Sequence, residues 1–307
     1  MNRSPTPSTD QTFGIKENDM STDHKFNELS SGHGFLESPR YHDGRLYLSD
    51  FFNTRVIVMD PKDGSWEKIA DVPTSPSGLG FLADGSMLIV SQHDHKLLRR
   101  AADGTTTVHA DLAAFCGGDA NDMRVVDGHA YIGNFGFDLA GGAEPRPTNL
   151  IHVNPNGEVS TVPGDVLFPN GAELHSDGKT FLLSETFAHK ISAYDRQPDG
   201  TLINYRTWAE LPETHSPDGM TVDSNGGVWY GNALTEGPES GFYRVEEGGK
   251  ITDQILVPDG WAVAATFGGP DNDVLYLITN ATTLPDFAEG KSAGYVRTAS
   301  VGRRGAN

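Results

Sequence analysis

Glu37, Asn121, Asn170 and Asp218 stand at corresponding places in a repeating pattern with Ser77 and Ala264, successive members lying 40, 44, 49, 48 and 46 residues apart. Four of these six anchors carry carboxylate or amide oxygens where a packed interior would take Val or Ile. If the repeats converge, the two carboxylates meet with no Lys or Arg at an equivalent anchor to neutralise them. Burying like charges unpaired is costly. A hard divalent cation removes that cost, and this donor set suits Ca2+, Mg2+ or Mn2+. Zn2+ is less suited to anchors without His or Cys. The competing reading is a hydrogen-bonded polar network around trapped water, with Asn and Asp serving only as turn formers before Gly.

What must position these residues is a repeated hairpin. Six or seven residues after every anchor comes a turn pair: Asp43-Gly44, Asp84-Gly85, Asp127-Gly128, Asp177-Gly178, Asn225-Gly226 and Asp271-Asn272. Such pairs tolerate the positive φ of tight turns. An apolar or alternating run follows each one, and most units add a further strand and turn, as in Ile191 to Tyr194 before Asp199-Gly200. No helical period is sustained. Four short antiparallel strands in each of six units predict an all-β fold, a six-bladed β-propeller. The expected limits are a disordered or draped tail over residues 1–23, one propeller domain over 24–303 and a C-terminal tail over 304–307. Ring closure is expected from a late strand over 294–301 and a strand near 24–29.

The formal net charge of −19 weighs against nucleic acid and anionic membranes as partners, because both are bound through basic patches. No stretch approaches the ~18 apolar residues of a spanning helix. Cys116 is the only cysteine, so neither a disulfide framework nor a thiolate cluster is available. With no apolar leader segment near Met1, the reading is a cytoplasmic protein whose partner is a small molecule.

The ordered motifs Glu37-Ser-Pro39, Asn121-Asp122, Pro169-Asn-Gly171, Ser184-Glu185 and Pro217-Asp-Gly219 resemble the series of the SMP-30/gluconolactonase/luciferin-regenerating-enzyme family. Phe267-Gly-Gly-Pro270 matches its last blade, and the resemblance runs from about residue 34 to residue 295. It implies a propeller with one divalent metal on the axis, held by Glu37, Asn170 and Asp218, with Ca2+ first and Mg2+, Mn2+ or Zn2+ as alternatives. It also implies that Asn121 contacts substrate, that Asp218 is the general base, and that the reaction opens a small lactone, often of a sugar. In that scheme the cation polarises the carbonyl and acidifies a water, Asp218 takes the water's proton, and Asn121 helps stabilise the oxyanion. The sequence departs from the family pattern where Arg40 and Tyr41 follow the first motif, and where Asp119 stands at a place often basic. The second departure weighs against a sugar lactone more than against a lactone.

Tyr41 and His215 are further candidate substrate contacts, and His215, His93 and His95 are candidate proton shuttles. A hydrogen-bonded structural role is the ordinary one for a single histidine. Phe135, Phe137 and Trp261 either shape an apolar rim or pack between blades, and Glu185 is a candidate support for the metal ligands. Gly-x-Ser-x-Gly elbows and phosphate-cradling loops are absent. Two alternatives stand beside the lactonase: an organophosphate or aryl-ester hydrolase on the same metal site, and a non-catalytic propeller serving as an interaction platform.

Overall fold

The turn pairs do what tight hairpins require. Gly226, at φ +84°, turns the chain between the strands Pro217–Val222 and Val228–Asn232, and the pairs at 43–44, 84–85, 127–128 and 177–178 do the same in their own units. The computed structural model describes residues 21–139 and 141–306. Most of the expected N-terminal tail, residues 1–20, lies outside the described residues. The described strands form six sheets, antiparallel apart from one short strand, and among the described residues helix is confined to Leu284–Ala288 and two single 3-10 turns.

The inner strands are Leu36–His42, Pro76–Phe81, Ala120–Val126, Pro169–Leu174, Pro217–Val222 and Trp261–Gly268. Each touches the next and the last touches the first, so the sheets are the blades of a closed six-bladed propeller. Blade 6 is completed from the N-terminal side: Phe26–His33 pairs with Ala293–Ala299, Phe26 opposite Ala299. Thr22–Asp23 adds a fifth, parallel strand to blade 5. Near the other end, Gly305 bridges to Asp223 and the Ala306 N–H donates to the Val222 carbonyl. Polar contacts pin both segments to blade 5. His24 Nε2 and Arg303 Nη1 each lie 2.9 Å from Asp253 Oδ1, and Arg303 Nε lies 3.8 Å from the fully buried Asp223.

The apolar core sits between neighbouring blades. Leu182 and Ile191 of blade 4 pack with Met220, Val228 and Tyr230 of blade 5, and similar clusters fill the other junctions. Each such side chain contributes about 1.5–3 kcal/mol on full burial. Stability is thus carried between blades, which frees the axis for polar groups.

In every blade the ladder between inner and second strand slips beside the anchor, as between Glu37 and Arg40, Ala120 and Met123, Pro169 and Ala172, and Pro217 and Met220. Such a bulge re-aims the side chains it contains. Glu37, Ser77, Asn121, Asn170 and Asp218 are each the second residue of their strand. The matching residue of blade 6 is Ala262, two before the alanine that the sequence spacing singles out, and that blade offers no oxygen either way. Gly171 lets blades 4 and 5 close on each other: a Cβ there would lie 2.4 Å from the Asp218 carbonyl oxygen and 2.7 Å from Gly219 Cα. Overpacking of this kind costs about 1–3 kcal/mol. Gly171→Ala is therefore expected to lower the urea midpoint; an unchanged midpoint would mean that the blades separate there freely.

Candidate active site

The anchors meet where the inner strands begin. Asn121 and Asn170 are buried, and Glu37 and Asp218 are half-buried. Side-chain bonds tie one blade to the next around this end. Ser49 Oγ donates to the Ser77 carbonyl at 2.6 Å, and Asn121 Nδ2 to the Pro169 carbonyl at 3.4 Å. Asn170 Nδ2 donates to Thr186 Oγ1 at 3.2 Å, which donates to the Pro217 carbonyl at 2.9 Å. Thr186 thereby locks Asn170 to the strand that carries Asp218. Nothing in the sequence marks it, beyond its place next to the Ser184-Glu185 motif.

A third carboxylate sharpens the electrostatics. Asp122 is buried, and its Oδ1 accepts from Ser38 Oγ at 3.0 Å and Arg40 Nη2 at 2.8 Å. Burial first, then the charges of Asp122 and Asp218, push the Glu37 carboxyl well above the usual carboxylate range, with Ser77 and Arg40 opposing. Burial and then Asp122 push Asp218 up as well, against the Gly219 N–H and the Asn170 amide. Glu37 Oε1 is buried and has no hydrogen-bond partner. Arg40, whose charge acts on Glu37, is already engaged: it also donates to the carbonyls of Leu79 and Pro39, each at 2.9 Å, and to that of Met123. The axis is short of positive charge, and its oxygen donors fit a hard divalent cation.

The other candidates land elsewhere. Tyr41 lies four residues along its strand from Glu37, about 13 Å at ordinary strand rise. It stacks on Tyr276 and lines a cavity of about 240 Å³ with Arg40, His42, Phe81, Arg124 and Glu173. That cavity belongs to the opposite mouth, so Tyr41 is not brought together with Asn121. His215 is buried within blade 5, its Nδ1 2.6 Å from Tyr230 Oη and its ring 4.3 Å from that of Tyr243. His93 and His95 flank Asp119 at 3.0 and 3.7 Å.

Glu185 accepts from the Leu167 N–H at 2.8 Å, Tyr205 Oη at 2.6 Å and the Ser192 hydroxyl, which makes it a brace of blade 4. Phe137 and Trp261 are buried, whereas Phe135 is half-buried against Phe168. Burial pushes the Cys116 thiol up to about 12, out of use as a nucleophile. Phe168 is held at φ +53° directly before Pro169, where extended backbone is the norm. Strain of this kind, about 1–3 kcal/mol, concentrates at functional sites.

Fold and axis together define a class: six-bladed propellers whose inner strands present carboxylates and amides at one mouth. Residues 35–281 match the SMP-30/Gluconolactonase/LRE-like region, and the chain belongs to that family. Pentonolactonase XacC of Haloferax volcanii is 31% identical over 79% of this chain and 80% of its own length. The 6-deoxy-6-sulfogluconolactonase of Pseudomonas putida is 27% identical over 76% of this chain and 79% of its own. Of the solved structures, a luciferin-regenerating enzyme matches with a TM-score of 0.77 at 18% identity, covering 91% of this chain and 96% of that one. Regucalcin of Agrobacterium tumefaciens, described as a calcium-binding protein, matches at 0.74 and 20% identity, covering 92% and 97%. At such identities the two structures speak to the fold alone.

The placement of His215 has a measurable signature. Burial holds its imidazole down to about 4, with Glu239 raising it and His189 lowering it further. A free histidine titrates near ~6.5, so as pH falls the unfolded chain takes up the proton first. The stability contributed by the neutral ring is complete above that pH and is lost progressively toward pH 4, by on the order of 3 kcal/mol. The gap in Tm between the wild type and His215→Gln is expected to narrow as pH falls from about 7 to about 4. A constant gap would place the ring in solvent.

Proposed function

We propose that the protein is a lactonase that hydrolyses a small cyclic ester to its hydroxy acid where Glu37, Asn121, Asn170 and Asp218 meet. The observation that carries this is the pair of crowded carboxylates, both driven upward, with Glu37 Oε1 lacking any partner. Family membership and the lactonases among the relatives support an ester as the substrate. Glu37, Asn170 and Asp218 would hold a divalent cation, Ca2+ first, in keeping with their oxygen donors. Such a cation, when bound, polarises the ester carbonyl and makes water a better nucleophile at neutral pH.

The chain's own residues do the rest. Asp218, whose basicity burial and Asp122 raise, takes the proton of the attacking water. As the ring C–O bond breaks, the same carboxyl returns that proton to the departing oxygen, which leaves as the hydroxyl of the product. Asn121, held by its long bond to Pro169, turns an amide donor to the developing oxyanion. The bond from Asn170 through Thr186 to Pro217 keeps Asp218 and its neighbour in register during these transfers. A cytoplasmic location goes with this reading, given the single half-buried cysteine. Among the described residues no helix is long and apolar enough to cross a membrane.

Asp218→Asn separates the two halves of the proposal. Turnover of a γ-lactone with saturating Ca2+ should fall by about two to four orders of magnitude. Without added cation, the variant's Tm should rise above that of the wild type because a buried repulsion is gone, and the Tm gained on adding Ca2+ should shrink. Full activity in Asp218→Asn would remove it from the chemistry, and an equal Ca2+ response in both proteins would remove it from the cation site.

A further inference from the structure

The loop after the second strand of each blade stands at the same mouth as the anchors, because the end of that strand pairs with the start of the inner strand. Leu36 lies opposite Asp50, Ala120 opposite Asn134, Pro169 opposite Glu185, Pro217 opposite Asn232 and Trp261 opposite Asn280. Four blades put an apolar side chain within two residues of that point, Phe52, Phe135, Phe187 and Leu234, and blade 6 puts Phe287 in the short helix Leu284–Ala288 of the same loop. Blade 2 has His93 there instead. All five apolar side chains are half-buried, packed on one side and open on the other.

They fall into two groups on opposite sides of the ring. Phe52 and Phe287, 5.2 Å between ring centroids, join blades 1 and 6, and Leu234 packs onto the same cluster. Phe135 and Phe187 bracket Phe168 across blades 3 and 4, at 4.5 and 5.0 Å. Phe168 and Leu234 are both held in the left-handed region, at φ +53° and +56°, a strain that concentrates where ligands are clamped. Apolar groups gathered at one mouth in this way mark a binding surface, unlike single exposed side chains scattered over a protein.

We infer that these two groups are the jaws of the substrate site, and that the lactone it takes carries an alkyl or aryl substituent rather than a ring of hydroxyls. The inference rests on the lactonase reading above. The ester faces the polar floor of Asn121, Asn170 and Asp218, and the substituent lies between the jaws, where it is shielded from water. A polyhydroxylated ring needs a hydrogen-bond partner for each hydroxyl it brings out of water. The jaws supply none, and of the polar groups of the same tier Asp119 and His93 engage each other at 3.0 Å. Sugar lactones, for which the relatives are named, are therefore the sharpest comparison.

The test is kcat/KM of the full chain with Ca2+ on γ-butyrolactone, γ-nonalactone, dihydrocoumarin and D-xylono-1,4-lactone. Burial of a methylene is worth up to about fourfold, so five added methylenes, even partly buried, should favour γ-nonalactone over γ-butyrolactone by more than about tenfold. Phe52→Ser and Phe187→Ser should each cut that preference at least about threefold, chiefly through KM. Phe187→Leu should keep most of it, which separates a lost apolar wall from a damaged fold. Fastest turnover of the xylonolactone, or a γ-nonalactone preference unmoved in both serine variants, overturns the inference and leaves the lactonase standing. Failure to turn over any lactone sinks the lactonase reading and this inference with it.

Discussion

Three carboxylates, Glu37, Asp122 and Asp218, are drawn toward one axis with one engaged arginine among them. A folded chain normally avoids such crowding, since each like charge raises the cost of its neighbours. Here the surrounding architecture enforces it. The glycine-lined approach of neighbouring inner strands brings the anchors together, and the bulge in each blade turns them out of the ladder. Carriers of apolar stability were kept off the axis and placed between blades, so the strain at the centre is borne by six independent interfaces.

The polar residues of the axis also brace one another. Asn121 reaches the strand of Asn170, and Asn170 reaches the strand of Asp218 through Thr186. A change in the position of one blade is thus transmitted to the next anchor. Buried polar networks of this type favour one arrangement when every member is satisfied. Glu37 Oε1 and Ser77 Oγ are the exceptions among the anchors, both buried without a partner.

The architecture was legible in the chain because each blade repeats a turn pair at nearly fixed distance from a polar residue, and because a closed ring is the natural way to hide the edges of six small sheets. The anchors could be read for the same reason. Tyr41 could not be placed, since only the strand rise shows that four residues past Glu37 is another mouth. Asp122 was visible only as the second member of a motif, and Arg40 only as the neighbour of one. Their pairing depends on which way a bulge turns its side chains, and a sequence does not record that. His215 shows the same limit: three residues before Asp218, it faces two tyrosines of its own blade.

The outermost strand of blade 6, Phe26–His33, comes from the opposite end of the sequence to its partner Ala293–Ala299. On the ribosome it emerges before any blade and must stay unpaired while all the others are made. An unpaired strand edge invites association with other chains, and nascent proteins are most exposed to that hazard. The segment Phe-Asn-Glu-Leu-Ser-Ser-Gly-His is mostly polar, and in the finished ring much of it still faces solvent. That composition suits a strand that has to wait in water. Blade 6 can be completed only once translation has delivered Ala293–Ala299.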